Sequence, residues 1–267
     1  MAKQTKTKTK PVKPVTGSTK GKATPLTKGI TAKQFLEALK TLTSPEELKK
    51  IQGYFKSGDG QYGEGDKFIG VRMGHVFELA KEFIEMPPSE IEKLLESPIH
   101  EARTGAVSVM DFQARNKKTS ESRKKELFDL YIKRHDRINN WDLVDRSAIY
   151  VIGAYLFDKP RDILYKLARS KNIWERRTAI VSTAYFLKHR DRSDTFRIGE
   201  LLIKDKEDLI HKAVGGWIRQ AGKGDKQMLL NFLDRHAATM PRTALRYAIE
   251  HLDKKQREHY LNIKNTK

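Results

Sequence analysis

The sequence contains no cysteine among its 267 residues. Disulfides, thiolate-bound metals and thiol nucleophiles are therefore excluded, and the composition suits a reducing compartment. Long hydrophobic runs are also absent. No stretch approaches the roughly 18 apolar residues that a membrane-spanning helix needs, and the N-terminus lacks the apolar segment of a signal peptide. We expect a soluble cytoplasmic protein with no membrane partner.

Familiar catalytic signatures are missing as well. The sequence has no G-x-S-x-G, no H-E-x-x-H, no Walker loop and no dinucleotide fingerprint. The eight histidines are scattered without the spacing of metal ligands. A glycine-rich segment, residues 57–66, lacks both the Lys-Ser/Thr pair of a phosphate loop and the carboxylate spacing of a calcium loop, so we interpret it as a mobile connector. We expect no metal and no cofactor.

Positive charge is what the sequence has in excess. Lys and Arg number 53 against 34 Asp and Glu, which gives a formal net charge of +19. Residues 1–28 contain eight lysines and neither an acidic nor an aromatic residue, a composition that cannot bury enough apolar surface to fold. We predict a disordered basic arm over residues 1–28 and one folded domain over residues 29–267. Such a charge favours a polyanionic partner, usually nucleic acid.

The hydrophobic pattern becomes helical from Thr31 onward. Phe35, Leu36 and Leu39 recur at helical spacing, and residues 44–47, Ser-Pro-Glu-Glu, have the form of an N-cap, a first-position proline and an acidic first turn. Further helix starts are expected at Pro88-Ser89, Thr119-Ser120, Lys159-Pro160, Asp205-Lys206 and Met240-Pro241. No segment has the alternating pattern of a strand, so the predicted fold class is all-α.

An internal repeat is visible in five segments, each with a basic residue, one or two small residues and then an apolar helix. They are Arg103-Thr104-Gly105-Ala106, Arg146-Ser147-Ala148-Ile149, Arg177-Thr178-Ala179-Ile180, Lys212-Ala213-Val214-Gly215 and Arg242-Thr243-Ala244-Leu245. Their mean spacing of roughly 35 residues is the length of a two-helix HEAT or tetratricopeptide unit. The sequence therefore predicts a right-handed α-solenoid of HEAT-like two-helix repeats with a basic concave face.

The basic residue that opens each repeat has two interpretations. On a solenoid it would recur once per unit along the concave face, where the phosphates of DNA form an equally regular row. A single basic residue at a helix end is usually only a solvated charge. Five residues in register favour a binding groove.

One acidic residue stands within this basic series. Trp141 and Asp145 are four residues apart, on one face of a helical turn, and Asp145 directly precedes Arg146. A carboxylate that faces phosphates weakens binding, but it suits a site where positive charge develops, such as the oxocarbenium-like sugar of glycosidic cleavage. The alternative is structural: Asp145 pairs with Arg177 or Arg146 and stabilises the groove. The residues themselves leave both open.

Two glycines and a tryptophan interrupt a helical pattern at residues 215–217. Each glycine costs roughly 1 kcal/mol relative to alanine inside a helix. This cost indicates either that a ligand approaches the backbone, with Trp217 as a flat wall, or that two helices pack closely around a core tryptophan. Trp174 has the pattern of a core residue.

The same residues resemble a known family. The match lies in residues 53–56 with 68–71, 140–145, 174–180 and 212–217, which occur in the order and at the spacing of the bacterial DNA alkylation repair glycosylases built of HEAT-like repeats, the AlkD family. The similarity covers roughly residues 31–265 and leaves out the basic arm.

The resemblance implies a chemistry and roles for single residues. The family excises N3- and N7-alkylated purines, such as 3-methyladenine and 7-methylguanine, from duplex DNA and leaves an abasic site without metal or nucleotide cofactor. By position, Asp145 resembles the catalytic carboxylate, Trp141 and Trp217 the aromatic walls beside the deoxyribose, and Arg177 the residue that grips the backbone near Asp145. Asp142 departs from the pattern, since some relatives carry a second tryptophan there.

The resemblance and the basic series together predict which residues contact DNA and where in the cell the protein acts. The expected DNA-binding residues are Tyr54, Arg103, Arg146, Lys212, Arg219, Arg242 and Arg246. We expect a monomeric, monofunctional enzyme of base excision repair in the bacterial cytoplasm, associated with the nucleoid. Two alternatives remain: a non-catalytic HEAT-repeat protein that binds branched or damaged DNA, and a repeat scaffold for a protein partner.

Overall fold

The computed structural model describes residues 29–55, 58 and 60–263. The predicted basic arm over residues 1–28 lies outside this range. Within the described residues the structure is helical, and strand-like pairing is limited to one isolated bridge between Lys67 and Ile99. The all-α prediction is confirmed. No described helix is both long and apolar enough to cross a membrane.

Fourteen α-helices and one π-helical segment follow one another along the described chain. They are α1 Ala32–Lys40, α2 Pro45–Tyr54, α3 Met73–Glu82, α4 Pro88–Leu95, α5 His100–Arg115, α6 Glu121–Lys133, α7 Trp141–Ala148, the π-helical segment Ile149–Ala154, α8 Asp162–Ala168, α9 Ile173–Lys188, α10 Ser193–Leu202, α11 Asp208–Gly224, α12 Lys226–His236, α13 Arg242–Ala248 and α14 Lys254–Asn262.

The helix starts follow the capping signals in the sequence. Thr31 and Gln34 form a reciprocal capping box at α1, and the Ser44 side chain accepts a hydrogen bond from the Glu47 amide at the start of α2. Ser120 caps α6 in the same way. The starts predicted near residues 159–160 and 205–206 are early, because α8 and α11 begin two or three residues later, at Asp162 and Asp208.

The helices stack in two rows, as an α-solenoid requires. Helices α5, α7, α9, α11 and α13 each contact the next one in that order, and we call them the inner row. Helices α4, α6, α8, α10, α12 and α14 each pack against a helix of the inner row or the π-helical segment, and we call them the outer row. The five repeat segments of the sequence fall one on each inner-row helix, which confirms the predicted repeat.

A glycine sets the spacing between two inner-row elements. A Cβ on Gly153, in the π-helical segment, would lie 2.2 Å from the Ser182 carbonyl oxygen of α9. No real Cβ atom comes so close to backbone, so only glycine allows this approach. The π-helical segment continues α7 directly, and the contact therefore fixes α7 against α9, the two helices that carry Asp145 and Arg177.

Candidate nucleic-acid interface and carboxylate site

The carboxylate of Asp145 lies between two helices of the inner row. Helix α7 carries it one turn after Trp141, and α9 carries its partner Arg177. Arg177 Nε and Nη2 donate to the two oxygens of Asp145 at 2.9 and 2.7 Å, and Nη1 donates to the Leu209 carbonyl at 2.8 Å. The Asp145 side chain is nevertheless 39% exposed, whereas that of Arg177 is 9% exposed. Asp145 thus pairs with Arg177, and its carboxylate still faces solvent.

The indole of Trp141 is held by aromatic neighbours from the end of α2. Its ring stacks on Phe55 at 5.8 Å and meets Tyr54 edge-on at 5.9 Å between centroids. Tyr54 is 66% exposed. These three side chains line a depression of about 610 Å³ that also includes Arg146 and Arg72. Tyr54 therefore lies against Trp141, which stands one helical turn before Asp145 on α7.

A second depression, of about 790 Å³, contains Arg177, the partner of Asp145, and Trp217. Among the residues that the structure describes, its lining has no acidic residue and six cationic ones, which are Arg177, Lys188, Arg192, Lys212, Arg219 and Lys223. A concave surface with one sign of charge concentrates the field and attracts ions of the opposite sign. A polyanion is the ligand that this surface favours.

The two glycines before Trp217 have different surroundings. A Cβ on Gly215 would lie 2.4 Å from the Ala244 carbonyl oxygen of α13, whereas a Cβ on Gly216 would meet nothing within 4 Å. Gly215 therefore serves close helix packing. Gly216 faces the depression, beside the half-buried Trp217. The approach of a ligand to the backbone at Gly216 stays a prediction. Trp174 is 7% exposed, which confirms it as a core residue.

A buried ion network fixes the start of α7. The fully buried His100 places Nε2 2.8 Å from Asp142 and Nδ1 3.2 Å from Asp66. Burial alone would lower the pKa of His100, but the charges and hydrogen bonds of Asp142 and Asp66 outweigh it and raise the pKa to about 9. Arg103 forms an ion pair with Asp66. Two carboxylates thus face two cations.

Asn140 connects this network to Trp141. Its side chain donates to Asp66 at 2.8 Å and accepts from the Trp141 amide at 2.8 Å, as the N-cap of α7. Sequence reasoning missed His100 and interpreted residues 57–66 as a mobile connector. The last residue of that segment, Asp66, is anchored in the interior. Asp142, which departs from the family pattern, is the partner that binds His100.

One of the five basic repeat residues lies elsewhere than predicted. Arg103 is 3% exposed, pairs with Asp66 and donates to the Ser97 carbonyl at 3.1 Å. It is therefore not on the interface surface, because an arginine this deep must be paired inside the protein. The Arg242 guanidinium donates to the Leu261 carbonyl at 2.8 Å and so connects α13 to α14.

Arg146 is largely committed to the interior as well. Its guanidinium lies 4.6 Å from the ring centroids of both Phe77 and Phe112 and 3.2 Å from Asp111. Burial lowers its pKa. Burial likewise raises the pKa of Asp111, despite Arg146 and Arg115 beside it.

The remaining predicted contacts reach the surface. Lys212 is 44% exposed and pairs with Asp208 at 2.7 Å, and Arg219 pairs with Glu250. Arg246 is exposed on α13. Sequence reasoning missed Lys188, Arg192 and Lys223, which line the larger depression. For two of these residues the sequence holds a signal, since Lys188 and Lys223 stand in the last turn of long helices.

No group of three or more His, Asp and Glu side chains among residues 29–55, 58 and 60–263 is placed to hold a metal ion. The described site consists instead of one paired carboxylate, two indoles and a cationic surface. An α-solenoid with a cation-lined face and a partly exposed carboxylate is typical of the class of helical-repeat proteins whose surface favours polyanions.

Comparison with known proteins agrees with this class. The family model for DNA alkylation repair enzymes matches residues 35–252, and the chain belongs to that family. A solved structure described as a predicted DNA alkylation repair enzyme from Enterococcus faecalis is similar in fold, with a TM-score of 0.64 and 18% identity over 79% of this chain and 97% of that one. No curated protein matches the sequence. Family membership supports a role in the repair of alkylated DNA.

Proposed function

We propose that this protein is a monofunctional DNA glycosylase. It hydrolyses the N-glycosidic bond of cationic N3- or N7-alkylated purines, such as 3-methyladenine and 7-methylguanine, in duplex DNA and leaves an abasic site. The observation that carries the proposal is the carboxylate of Asp145, which is 39% exposed and fixed in orientation by Arg177.

The charge of Asp145 fits a reaction better than binding alone. Asp145 is next to Arg177, one of the six cations that line the larger depression, and a carboxylate at this place lowers the affinity of the surface for phosphates, so its presence there has to be explained. When the glycosidic bond breaks, its electron pair moves to the cationic base and positive charge develops on the sugar. A preorganised carboxylate stabilises that charge.

The reaction balances without further groups from the protein. The base leaves as a neutral purine, so no acid has to protonate it. Water adds to the anomeric carbon of the sugar and releases one proton to solvent. Loss of one preorganised electrostatic partner typically costs about 10²–10³ in rate.

The two indoles support the same assignment. Trp141 stands one turn before Asp145 on α7, and Trp217 lines the depression that contains Arg177. Flat aromatic faces can contact the sugar of the lesion on either side of the carboxylate. Gly216 leaves the surface next to Trp217 open.

A second candidate function is non-catalytic binding of branched or damaged DNA. The observation that favours it is that Arg177 donates to both oxygens of Asp145, as it would in a purely structural ion pair. The two functions predict different results for a variant that keeps the shape of Asp145 and removes its charge.

The test is incubation of the protein with a duplex that contains one N7-methylguanine, followed by an assay for free base. We expect release by the parent protein, and Asp145→Asn to bind the duplex but to release base about 10²–10³ times more slowly. Asp129→Asn is the matched control, because Asp129 is an exposed, ion-paired aspartate on outer-row helix α6. Unchanged release by Asp145→Asn contradicts the proposal, and binding without release by the parent protein supports the second candidate.

A further inference from the structure

Four cations lie at the far ends of the inner-row helices, away from Asp145. Arg115 ends α5, Lys188 ends α9, Lys223 is in the last turn of α11, and Arg192 lies in the connection from α9 to α10. We call these four residues the cationic edge. Lys188 is 11 residues after Arg177 on one helix. At 1.5 Å per residue this places it about 16 Å from the Asp145–Arg177 pair.

Tyr150 joins two members of the cationic edge. The Arg115 guanidinium lies 3.8 Å from the centroid of the Tyr150 ring. The Lys188 ammonium donates to the Tyr150 hydroxyl at 2.6 Å and lies 4.5 Å from the ring centroid. One tyrosine of the π-helical segment therefore holds cations from α5 and α9 at neighbouring positions, although their like charges repel each other.

Three members of the cationic edge differ from the basic repeat series in their partners, whereas the fourth, Arg115, pairs with Asp111 at 2.8 Å. Arg146, Arg177 and Lys212 each pair with a carboxylate of the protein, as Arg103 does. Within the described part of the chain, Lys188, Arg192 and Lys223 form no ion pair. Lys188 and Lys223 are also exposed, so their charge is available to an external anion.

Stabilisation of helix ends does not account for the whole set. Cations near a helix C-terminus favour the helix dipole, and this explains Lys188 and Lys223 in part. Arg192, in contrast, is the N-cap of α10, where the dipole disfavours a cation. It donates to the Arg190 carbonyl at 2.8 Å and packs against Gly224 of α11. These contacts direct it to the same depression as Lys188 and Lys223.

The spacing fits a nucleic-acid backbone. Neighbouring packed helices lie about 8–10 Å apart, and phosphates on one strand of a duplex rise about 3.4 Å per nucleotide. The cationic edge thus offers about one cation for every two or three phosphates. Lys188 of the cationic edge lies about 16 Å from Arg177. The major groove of DNA is about 12 Å wide, so this separation is close to the width of the groove together with the phosphates on its two sides.

We propose that the cationic edge binds the phosphate backbone of the strand opposite the one whose sugar lies at Asp145. This assignment rests on the glycosylase function proposed above. Arg177 and Lys212 of the basic repeat series position the reacting strand, and the cationic edge fixes the second strand across one groove. Tyr150 acts as the positioning residue that keeps Arg115 and Lys188 in register.

The first test measures the salt dependence of binding to an undamaged duplex, which is independent of base release. The variant Lys188→Ala/Arg192→Ala/Lys223→Ala is compared with Lys93→Ala/Lys125→Ala/Arg235→Ala, which removes the same charge from exposed positions on outer-row helices. We expect the slope of log K against log salt to become shallower by about 2–3 in the first variant only, since each phosphate contact contributes about 0.9. Equal changes in both variants, or none in the first, overturn the proposal.

The second test assigns the strand. A duplex with one tetrahydrofuran abasic analogue receives neutral methylphosphonate linkages on either the analogue-bearing strand or its complement. Neutral linkages on the complement should weaken binding by the parent protein and have little further effect on the triple variant of the cationic edge. If they weaken both proteins equally, the strand assignment is wrong. If the parent protein fails to release N7-methylguanine, the proposed function falls while the salt-dependence result stands.

Discussion

Arg177 and Asp145 are 32 residues apart in the sequence, yet two hydrogen bonds of 2.9 and 2.7 Å join them across the interface between α7 and α9. The third arm of the guanidinium donates to the Leu209 carbonyl, just inside α11. Three consecutive inner-row helices therefore meet at one arginine. Its planar fork orients the carboxylate as well as balancing its charge.

Replacing the Arg177 guanidinium should lower the rate of base release. Arg177→Lys keeps the charge but loses the paired donors, so we expect single-turnover release of N7-methylguanine to fall about 10-fold, and Arg177→Ala to fall further. Arg176→Lys is the control, because Arg176 is adjacent on α9 and pairs with Asp205 instead. Equal rates for Arg177→Lys and the parent protein would show that charge alone suffices.

Trp217 should contribute to lesion discrimination more than to general affinity. We expect Trp217→Ala, in an Asp145→Asn background that blocks turnover, to weaken binding of the N7-methylguanine duplex by about 10-fold and of undamaged duplex by much less, because an aromatic contact is worth about 1 kcal/mol or more. Leu201→Ala, at an exposed apolar position on outer-row helix α10, should change neither. Equal loss on both duplexes counts against this role.

The adjacent glycines should respond to alanine in opposite directions. Gly215→Ala places a methyl group 2.4 Å from the Ala244 carbonyl oxygen and should destabilise the fold by about 1–3 kcal/mol. Gly216→Ala places it in open space, and better helix propensity should stabilise the fold by up to about 1 kcal/mol. Denaturant unfolding measures both values, and the same sign for the two variants would show that the packing of α11 on α13 is described wrongly.

Because of His100, the free energy of unfolding should depend on pH in the alkaline range. Its folded-state pKa of about 9 lies above the ordinary value of 6.5. The protonated imidazole therefore contributes its full stabilisation below about pH 6.5 and loses it as the pH rises through 9. We expect His100→Gln to be less stable than the parent protein at pH 6.5, and this difference to narrow towards pH 9.5.

Urea unfolding across this pH range provides the measurement. The exposed His75→Gln on α3 is the control and should follow the parent protein at each pH. A difference between His100→Gln and the parent protein that stays constant from pH 6.5 to 9.5 would mean that His100 is neutral in the fold.

The helices and the repeat could be predicted from the sequence because they depend on residues that are close together in the chain. Thr31 and Ser44 cap their helices through neighbours three residues away, and the repeat spacing appears once per helix pair. Trp141 and Asp145 share a face because they are one turn apart on α7. Such features need no knowledge of distant contacts.

Burial of charged residues could not be predicted in the same way. Arg103 resembles Arg177 in its local sequence, but Asp66, 37 residues away, pairs with it in the interior. No sequence pattern marks His100. Its role is visible only in the folded structure, where Asp66 and Asp142 lie on either side of the imidazole. These outcomes depend on which helices become neighbours, and that is a property of the stacked rows.

The close approach of Gly153 to Ser182 makes the joint between α7 and α9 stiff near its π-helical end. The ion pair of Asp145 and Arg177 crosses the same joint at its other end. The relative position of α7 and α9 is thus held at two separate points, by a glycine contact and by an ion pair. The carboxylate therefore meets solvent from a position that is set before any ligand arrives.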